Sequence, residues 1–388
     1  MREELLTGQD ACFMSRAIAL ARRMEGRTRP NPPVGAVVVR DGEVIAEACH
    51  RAAGAPHAEI AALRAAGAGA AGSALYVSLE PCSTQGRTGA CVPVVISSGV
   101  KRVVVGVRDP NPAHRGRGLR LLRSAGLSVT CGVCAAEAGR LIAPFAKWVV
   151  RGLPYVTLKM AMSVDGRIAD GKGRSKWITS PASRKAVQRL RRRVDAILVG
   201  SRTALMDDPA LLTAGGRGVV PYRVVLDAEG RLPLSARLLS DGHEAGTIVA
   251  TTRRCAASRR RRLEDRGIAV WVLPADRGGV CLERLMRRLA GIGVLHVLCE
   301  GGGILAGTLV RDELVDEYLL FMAPRLIGDA GSTPVIGRQG WALADTPGMT
   351  FKETVAIGGD ILIRAMPRDR QKESPTAQTA GKRPCSRD

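Results

Sequence analysis

The period of apolar and polar positions changes several times along the chain. Residues 9–24 repeat apolar positions every three to four residues, which predicts an amphipathic helix. Pro30, Pro32 and Pro33 exclude helix from the next segment. VGAVVV and EVIAEA then flank Asp41-Gly42 and predict a two-stranded hairpin. HAEIAALRAAGAGA predicts a helix stopped by glycine, ALYVSLEPC a strand running into a loop, and CVPVVISSGV a short helix. VKRVVVGVRDPNP, GLRLLRSAG and LSVTCGV follow as strand and turn, helix, and strand. A further helix runs to Val150 and ends at Gly152-Leu153-Pro154. Strands alternating with helices predict an α/β sandwich.

YVTLKMAMSVDGRIA opens a new strand after that break, so a domain boundary is expected there, dividing residues 1–150 from 151–367. The second block stays α/β through VDAILVGSRTAL, PYRVVLDAEGRL, AGTIVATT, GIAVWVLPA, HVLCEGGGILAGTLV, DEYLLFMAPRLIG and DILIRAMP. Residues 368–388 are polar without an apolar period and predict a disordered tail.

Composition narrows the picture. The 388 residues, 46% of them hydrophobic, suffice for two or three domains with real cores. No apolar run approaches a membrane span. The first residues are acidic, arginines break the following apolar run, and no small-residue cleavage site appears. A helix therefore fits better than an export signal, and a cytoplasmic location is expected. Ten cysteines at irregular spacings do not make a secreted disulfide framework. A net charge of +22 invites a nucleic-acid reading. Against it, aromatics are only 3%, and the arginines are spread in short runs such as 191–193, 259–262 and 287–288. Solvated helix faces account for such runs, and an anionic small substrate for part of the charge.

One short stretch carries chemistry. His57 and Glu59 stand two apart at the start of a predicted helix; Cys82 follows Pro81 at a strand end, and Cys91 opens the next helix. Imidazole and two thiolates suit zinc, and three protein ligands leave a fourth position for water. A carboxylate that is not a ligand, Glu59, can then move protons between water, ring nitrogen and leaving ammonia. His-x-Glu followed by Pro-Cys and a second Cys is the known signature of zinc nucleobase deaminases, usually with Cys-x-x-Cys. Here eight residues separate the two cysteines.

That longer spacing, in EPCSTQGRTGAC, resembles the bifunctional deaminase/reductase family of riboflavin biosynthesis. NPPVGAVVV, HRAAGAPHAE and RDPNP resemble the same family, as do KMAMSVDGRIA, SKWITS, DAILVGSRTALMDDPAL, RVVLD, CEGGG and APRLIG in the second block. The resemblance runs in order from about residue 10 to 366. It implies a cytidine-deaminase-like α/β/α domain followed by a dihydrofolate-reductase-like α/β domain. The first would hydrolyse the 2-amino group of a diaminopyrimidinone ribosyl phosphate with one Zn2+; the second would reduce the ribosyl chain to ribityl with NADPH. The implied partner is this small pyrimidine ribosyl phosphate, with neither nucleic acid nor membrane, and homo-oligomerisation is left open. Asn31 and His50 would line the pyrimidine pocket.

The departures from the family pattern cluster near the substrate. A family histidine is Thr84 here, followed by Gln85; Pro-Pro is Gly89-Ala90; and a VAGRG element becomes HRGRG, with His114 and Arg115. They keep open a paralogue acting on a related pyrimidine. The charge keeps open a nucleic-acid base deaminase, and a non-catalytic protein with a structural zinc is the remaining rival.

In the second block Gly-Gly-Gly lies at a strand-to-helix turn, where backbone N–H groups can approach phosphate. It is not a G-x-G-x-x-G dinucleotide fingerprint. The resemblance implies a nicotinamide-dinucleotide site of Gly302, Gly303, Ile304, Leu305, Ala306, Gly307 and Thr308, with Met162, Trp177, Thr203, Asp207 and Ala228. It places Ser175, Arg191, Leu211 and Glu300 on the substrate. Arg191 is the candidate phosphate clamp, since guanidinium binds phosphate bidentately. A second family arginine is Ala214 here, and the nearest replacement is Arg217. Lys159, Asp207 and Glu300 are the candidates for proton chemistry around the reduction. Cys131-Gly-Val-Cys134 has metal or redox spacing but no second pair nearby, so it reads as a strand end.

Overall fold

The computed structural model describes residues 8–84, 89–213, 220–328, 330–337 and 340–368. The first part is built from α1 (Gly8–Arg22), β1 (Gly35–Arg40), β2 (Glu43–Cys49), α2 (Ala58–Ala66), β3 (Ala74–Leu79), α3 (Cys91–Ser97), β4 (Arg102–Val107), α4 (Arg117–Ser124), β5 (Ser128–Cys131) and α5 (Ala135–Arg151). Its five strands lie in the order β2-β1-β3-β4-β5. β1 pairs antiparallel with both β2 and β3, while β3, β4 and β5 are parallel.

β1 is apolar almost throughout because helices cover both faces of the sheet. Ala36 and Val38 face the core with α2, α3 and α4; Val37 and Val39 face Met14, Ile18 and Leu141 of α1 and α5. Asp41 (φ 52) and Gly42 (φ 81) make the hairpin turn, as their residue types predict. Gly35 is required by close packing: a Cβ there would lie 2.1 Å from the Ala17 carbonyl oxygen of α1.

The second part contains β6 (Tyr155–Ser163), β7 (Arg167–Ala169), α6 (Pro181–Arg191), β8 (Ala196–Gly200), α7 (Ser201–Asp207), β9 (Tyr222–Leu226), β10 (Thr247–Thr251), α8 (Ala257–Glu264) and β11 (Ala269–Val272). A short hairpin, β12 (Ala275–Asp276) and β13 (Gly279–Val280), leads to α9 (Leu282–Gly291), β14 (His296–Cys299), α10 (Gly303–Arg311) and β15 (Glu317–Ala323). β16 (Thr333–Pro334), β17 (Met349–Ile357) and β18 (Asp360–Pro367) complete it. The nine-stranded sheet has the order β11-β10-β9-β8-β14-β6-β15-β18-β17, parallel from β11 to β15, with the last two strands antiparallel. Its two faces carry separate cores, one including α9 and α10, the other Leu190, Ala204 and Leu263 of α6, α7 and α8.

Two readings of the pattern are corrected. The single strand expected from YVTLKMAMSVDGRIA turns at Gly166 (φ 73), giving β6 and a short β7 that pairs with β16. β17, which the pattern did not predict, is an edge strand exposed along nearly its whole length, so no buried face imposes alternation. Arg261, Arg262, Arg287 and Arg288 lie exposed on α8 and α9, as solvated helix faces require. No helix among the described residues is long and apolar enough to cross a membrane.

Candidate active sites

The first site forms where three segments meet. His57 precedes α2 in extended conformation, Cys82 follows β3, and Cys91 is the first residue of α3. The backbone N–H groups of Cys91 and Val92 donate to the Cys82 carbonyl at 3.1 and 3.2 Å, closing the loop between the two cysteines. The Cys91 N–H also donates to the Cys82 sulfur at 3.3 Å. His57 Nδ1 lies 3.1 Å from Cys91 Sγ and 3.6 Å from Cys82 Sγ, and the three candidate ligand atoms fall within 4.8 Å of one another.

The electrostatics suit a cation. A hydrogen bond from the Cys91 thiol holds Cys82 well below the ordinary thiol range despite burial, and His57 adds to the effect. The same bond, with burial, pushes Cys91 up. His57 is raised by its hydrogen bond to Cys82. One imidazole and two sulfurs converging at this range are a zinc-type donor set, so these residues fit that ion. Glu59 is 4% exposed, burial pushes its carboxyl up, and it hydrogen-bonds to the Cys91 thiol. A carboxyl whose pKa is raised by burial binds a proton more readily than a surface glutamate does, as a group that moves protons requires.

Asn31 and His50 come together beside this group. Asn31 Nδ2 lies 3.0 Å from His50 Nε2, and His50 Nδ1 lies 3.2 Å from the Pro56 carbonyl oxygen. Both contacts are satisfied by a neutral ring protonated on Nδ1, and burial lowers the His50 pKa in the same sense. The His50 ring meets the His57 ring edge-on at 5.3 Å.

Motif reading missed Glu80 and the contact between His114 and Thr84. Glu80, 3% exposed, accepts from the backbone N–H groups of Asp109 (3.1 Å), Gly116 (2.9 Å) and Leu119 (3.3 Å). It ties the loop before α4 to the strand end that carries Cys82. That loop brings His114 to Thr84, whose Oγ1 lies 3.2 Å from Nε2 and 3.3 Å from Nδ1 of the ring. Two of the departures from the family pattern are therefore neighbours in space. The signal available was their joint occurrence; Gln85 lies outside the described residues.

The second site is a cavity of about 1290 Å³ at the C-terminal ends of the parallel strands. Lys159, Ser175, Trp177, Arg191, Thr203, Asp207, Leu211, Ala228, Gly302, Gly303, Ile304, Leu305, Thr308 and Glu300 all line it. This is the place where open α/β sheets take ligands. Gly302 caps α10, and a Cβ there would lie 3.2 Å from Thr203 Oγ1. The space, the glycine turn and the facing helix N-terminus fit a dinucleotide phosphate. Leu211 adopts φ 51, and Ser175 Oγ donates to Asp207 Oδ1 at 2.6 Å.

Three expected cofactor residues do not line the cavity. Ala306 points into the core, and Gly307 packs on the crossing segment, where a Cβ would lie 2.6 Å from the Gly337 carbonyl oxygen. Met162 lies just past the stretch of β6 that borders the cavity. Gly303, though at the cavity wall, is also a packing glycine: its Cβ would meet the Pro334 carbonyl oxygen at 2.3 Å. Ala214 and Arg217 lie outside the described residues.

Arg191 is neither a solvated helix arginine nor a free phosphate clamp. Its Nε donates to Glu300 Oε1 at 2.7 Å and its second guanidinium nitrogen to Oε2 at 2.9 Å, with both side chains largely buried. Burial alone would raise the Glu300 carboxyl; Arg191, aided by Lys159, outweighs it and holds the carboxyl low. Burial lowers the Lys159 pKa, partly offset by Glu300.

Comparison with known proteins places both sites in one family. Residues 7–107 match the cytidine and deoxycytidylate deaminase zinc-binding region, and residues 154–363 the RibD C-terminal domain. The riboflavin biosynthesis protein RibD of Aquifex aeolicus is 38% identical over 358 residues, 91% of this chain and 97% of its own. That of Escherichia coli is 40% identical over 370 residues, 92% of this chain and 98% of its own. Acinetobacter baumannii RibD superposes with TM-score 0.81 at 35% identity, covering 93% of this chain and 99% of its own. A Thermotoga maritima deaminase/reductase does so with TM-score 0.81 at 33% identity, again covering 93% and 99%. The two folds are accordingly cytidine-deaminase-like and dihydrofolate-reductase-like, and the cofactors are Zn2+ and NADPH. The chain belongs to the RibD family of bifunctional riboflavin-biosynthesis enzymes, a hydrolytic deaminase joined to a reductase.

Proposed function

We propose that the first site deaminates a diaminohydroxyphosphoribosylaminopyrimidine and that the cavity reduces the ribosyl chain of the resulting aminouracil phosphate. These are the substrates named for the Thermotoga maritima relative. The observation that carries the reading is the convergence of His57, Cys82 and Cys91 within 4.8 Å beside the buried Glu59.

His57 Nδ1 and the sulfurs of Cys82 and Cys91 would hold zinc. Gly302, Ile304, Leu305 and Thr308, with Trp177, Thr203 and Ala228, would hold NADPH. When bound, the two groups supply Lewis acidity that activates water and a reducing equivalent, respectively. Glu59 moves the proton, taking it from water and passing it to the pyrimidine and the departing ammonia. Asn31 and His50 orient the ring. In the cavity, Lys159 is the proton donor, since burial brings its ammonium closer to releasing a proton. Glu300 and Arg191 keep that group oriented, and the Ser175–Asp207 pair meets the sugar. Because Glu300 already takes up the Arg191 fork, the phosphates fall to other cations lining the cavity, Arg184, Arg202, Arg231 and Arg237.

The division of labour is placed at residue 150, just before α5 ends on Gly152. A cytoplasmic setting fits the described cysteines, which are free thiols. The test is a coupled assay on the purified full chain, supplying the diaminopyrimidine phosphate with and without NADPH. Ammonia release without NADPH, and NADPH oxidation only after deamination, are expected. No ammonia from zinc-loaded protein would reject this substrate. Ammonia without any NADPH oxidation would reject the reductase half.

A further inference from the structure

The turn that carries Asn31 belongs to the first sheet by sequence but rests on the second. The Asn31 N–H donates to the Thr28 carbonyl at 2.9 Å, and Thr28 Oγ1 returns a bond to the Asn31 carbonyl at 2.9 Å. Arg29, inside this turn, donates to the Asp195 carbonyl at 3.1 Å and lies 4.5 Å from the centroid of the Tyr222 ring. Asp195 immediately precedes β8 and Tyr222 opens β9. The Asp195 carboxylate is itself fixed by the N–H groups of Leu295 (2.9 Å) and His296 (3.0 Å), where β14 begins. Arg29 thus sits on the starts of two neighbouring parallel strands, β8 and β9, and Asp195 ties that point to the start of a third, β14.

The approach is close on either side of Arg29. Gly26 has φ 73, and a Cβ there would lie 2.8 Å from the Arg192 carbonyl oxygen. A Cβ on Gly293 would lie 3.4 Å from Pro30 Cβ. From the other end of the turn, Asn31 Nδ2 reaches His50 Nε2 at 3.0 Å, and His50 abuts the ligand candidate His57. A continuous path of contacts leads from Tyr222 and Asp195 through Arg29 and Asn31 to His50.

We propose that Arg29 is a positioning residue for deamination, and that the reductase sheet, through Tyr222 and the Asp195 carbonyl, completes the pyrimidine pocket of the deaminase. The candidate zinc ligands come entirely from segments of the first part of the chain, but the grip on the ring depends on the second sheet. The proposal rests on the reading of Asn31 and His50 as pyrimidine contacts.

The test uses the full-length zinc-loaded protein with Arg29→Ala and Arg29→Lys. Four quantities are measured: KM and kcat for ammonia release, zinc content, NADPH oxidation with the deaminated compound supplied directly, and the ring nitrogen resonances of His50 without substrate. Arg29→Ala is expected to raise KM about tenfold, the equivalent of one lost hydrogen bond. It should leave kcat, zinc and the reductase rate unchanged and move the His50 Nε2 resonance. Arg29→Lys, which keeps a cation over Tyr222, should recover part of the KM. An unchanged KM with an unmoved His50 resonance overturns the proposal. So does joint loss of zinc and both activities, which would make Arg29 a purely structural residue. If the wild type releases no ammonia from this pyrimidine, the substrate reading fails instead. The His50 resonance of Arg29→Ala then decides alone: moved supports positioning, unmoved overturns it.

Discussion

The two sites are built on opposite plans. In the first, the candidate zinc donors lie 34 residues apart or less and meet within 4.8 Å. In the second, the residues lining a cavity of about 1290 Å³ range from Lys159 to Thr333. A metal centre has a radius of about 2 Å, so a helix start, a strand end and one loop can supply it. A dinucleotide with a sugar phosphate is many times larger and must be met by several strand ends at once. Compact chemistry can be written in a motif; extended binding has to be assembled by the sheet.

Glu59→Gln should separate the sites most sharply. Loss of the proton carrier is expected to slow ammonia release by about 10³-fold. Zinc content and reduction of directly supplied deaminated substrate should be unchanged. A comparable loss in the reductase assay would mean the two sites are not separate machines.

The next largest effect belongs to the buried pair of the second site. Arg191→Met leaves the Glu300 carboxylate beside Lys159 without its fork. Breaking such a pair costs about 3 kcal/mol. Chemical denaturation should show this as a lower midpoint, accompanied by loss of NADPH oxidation while ammonia release persists. Unchanged stability would show that Lys159 replaces Arg191 as the partner.

Glycine substitutions in the same run should diverge. Gly303→Ala drives a methyl group into the Pro334 carbonyl oxygen, at 2.3 Å. A rigid backbone cannot yield cheaply, so a destabilisation of about 2 kcal/mol is expected. Gly302→Ala meets only Thr203 Oγ1, at 3.2 Å. It should leave the melting temperature nearly intact and raise the KM for NADPH a few-fold. Equal thermal losses in both variants would refute the division into packing and binding glycines.

The smallest effect is a pH dependence from His296 at the start of β14. Burial lowers its pKa to about 4, and its Nε2 lies 2.8 Å from Thr157 Oγ1. The folded state resists protonation there, while the unfolded chain takes up a proton as pH falls below its ordinary value of 6.5. Stability is therefore full above that value and declines as pH drops toward about 4. Between pH 7 and 5.5 the loss is about 1 kcal/mol. His296→Gln should flatten this part of the stability profile; an unaltered slope would assign it to other groups.

Local spacing already pointed to much of this molecule. The turn at Asp41-Gly42, the helix starting after His57 and the ordering of Cys82 and Cys91 follow from dihedral preferences and short chain separations. β17 was illegible because an exposed edge strand has no buried face to impose a period. Arg191 could be placed near substrate by resemblance, but its partner Glu300 is 109 residues away. The run from Gly302 to Thr308 looked uniform in sequence, yet Gly303 and Gly307 pack against residues 334–337 while Gly302 caps the helix beside the cavity.

By itself the sequence pointed to the zinc-type donor set and to Glu59 as its proposed proton carrier, and it determined two α/β units and the family to which they belong, because side-chain chemistry and local backbone preference travel with the residues. Tertiary structure alone decided which arginine is neutralised, which glycines are packing, that Thr84 meets His114, and that Arg29 rests on Tyr222. Burial and charge pairing are properties of neighbours in space, and those neighbours are remote in the chain.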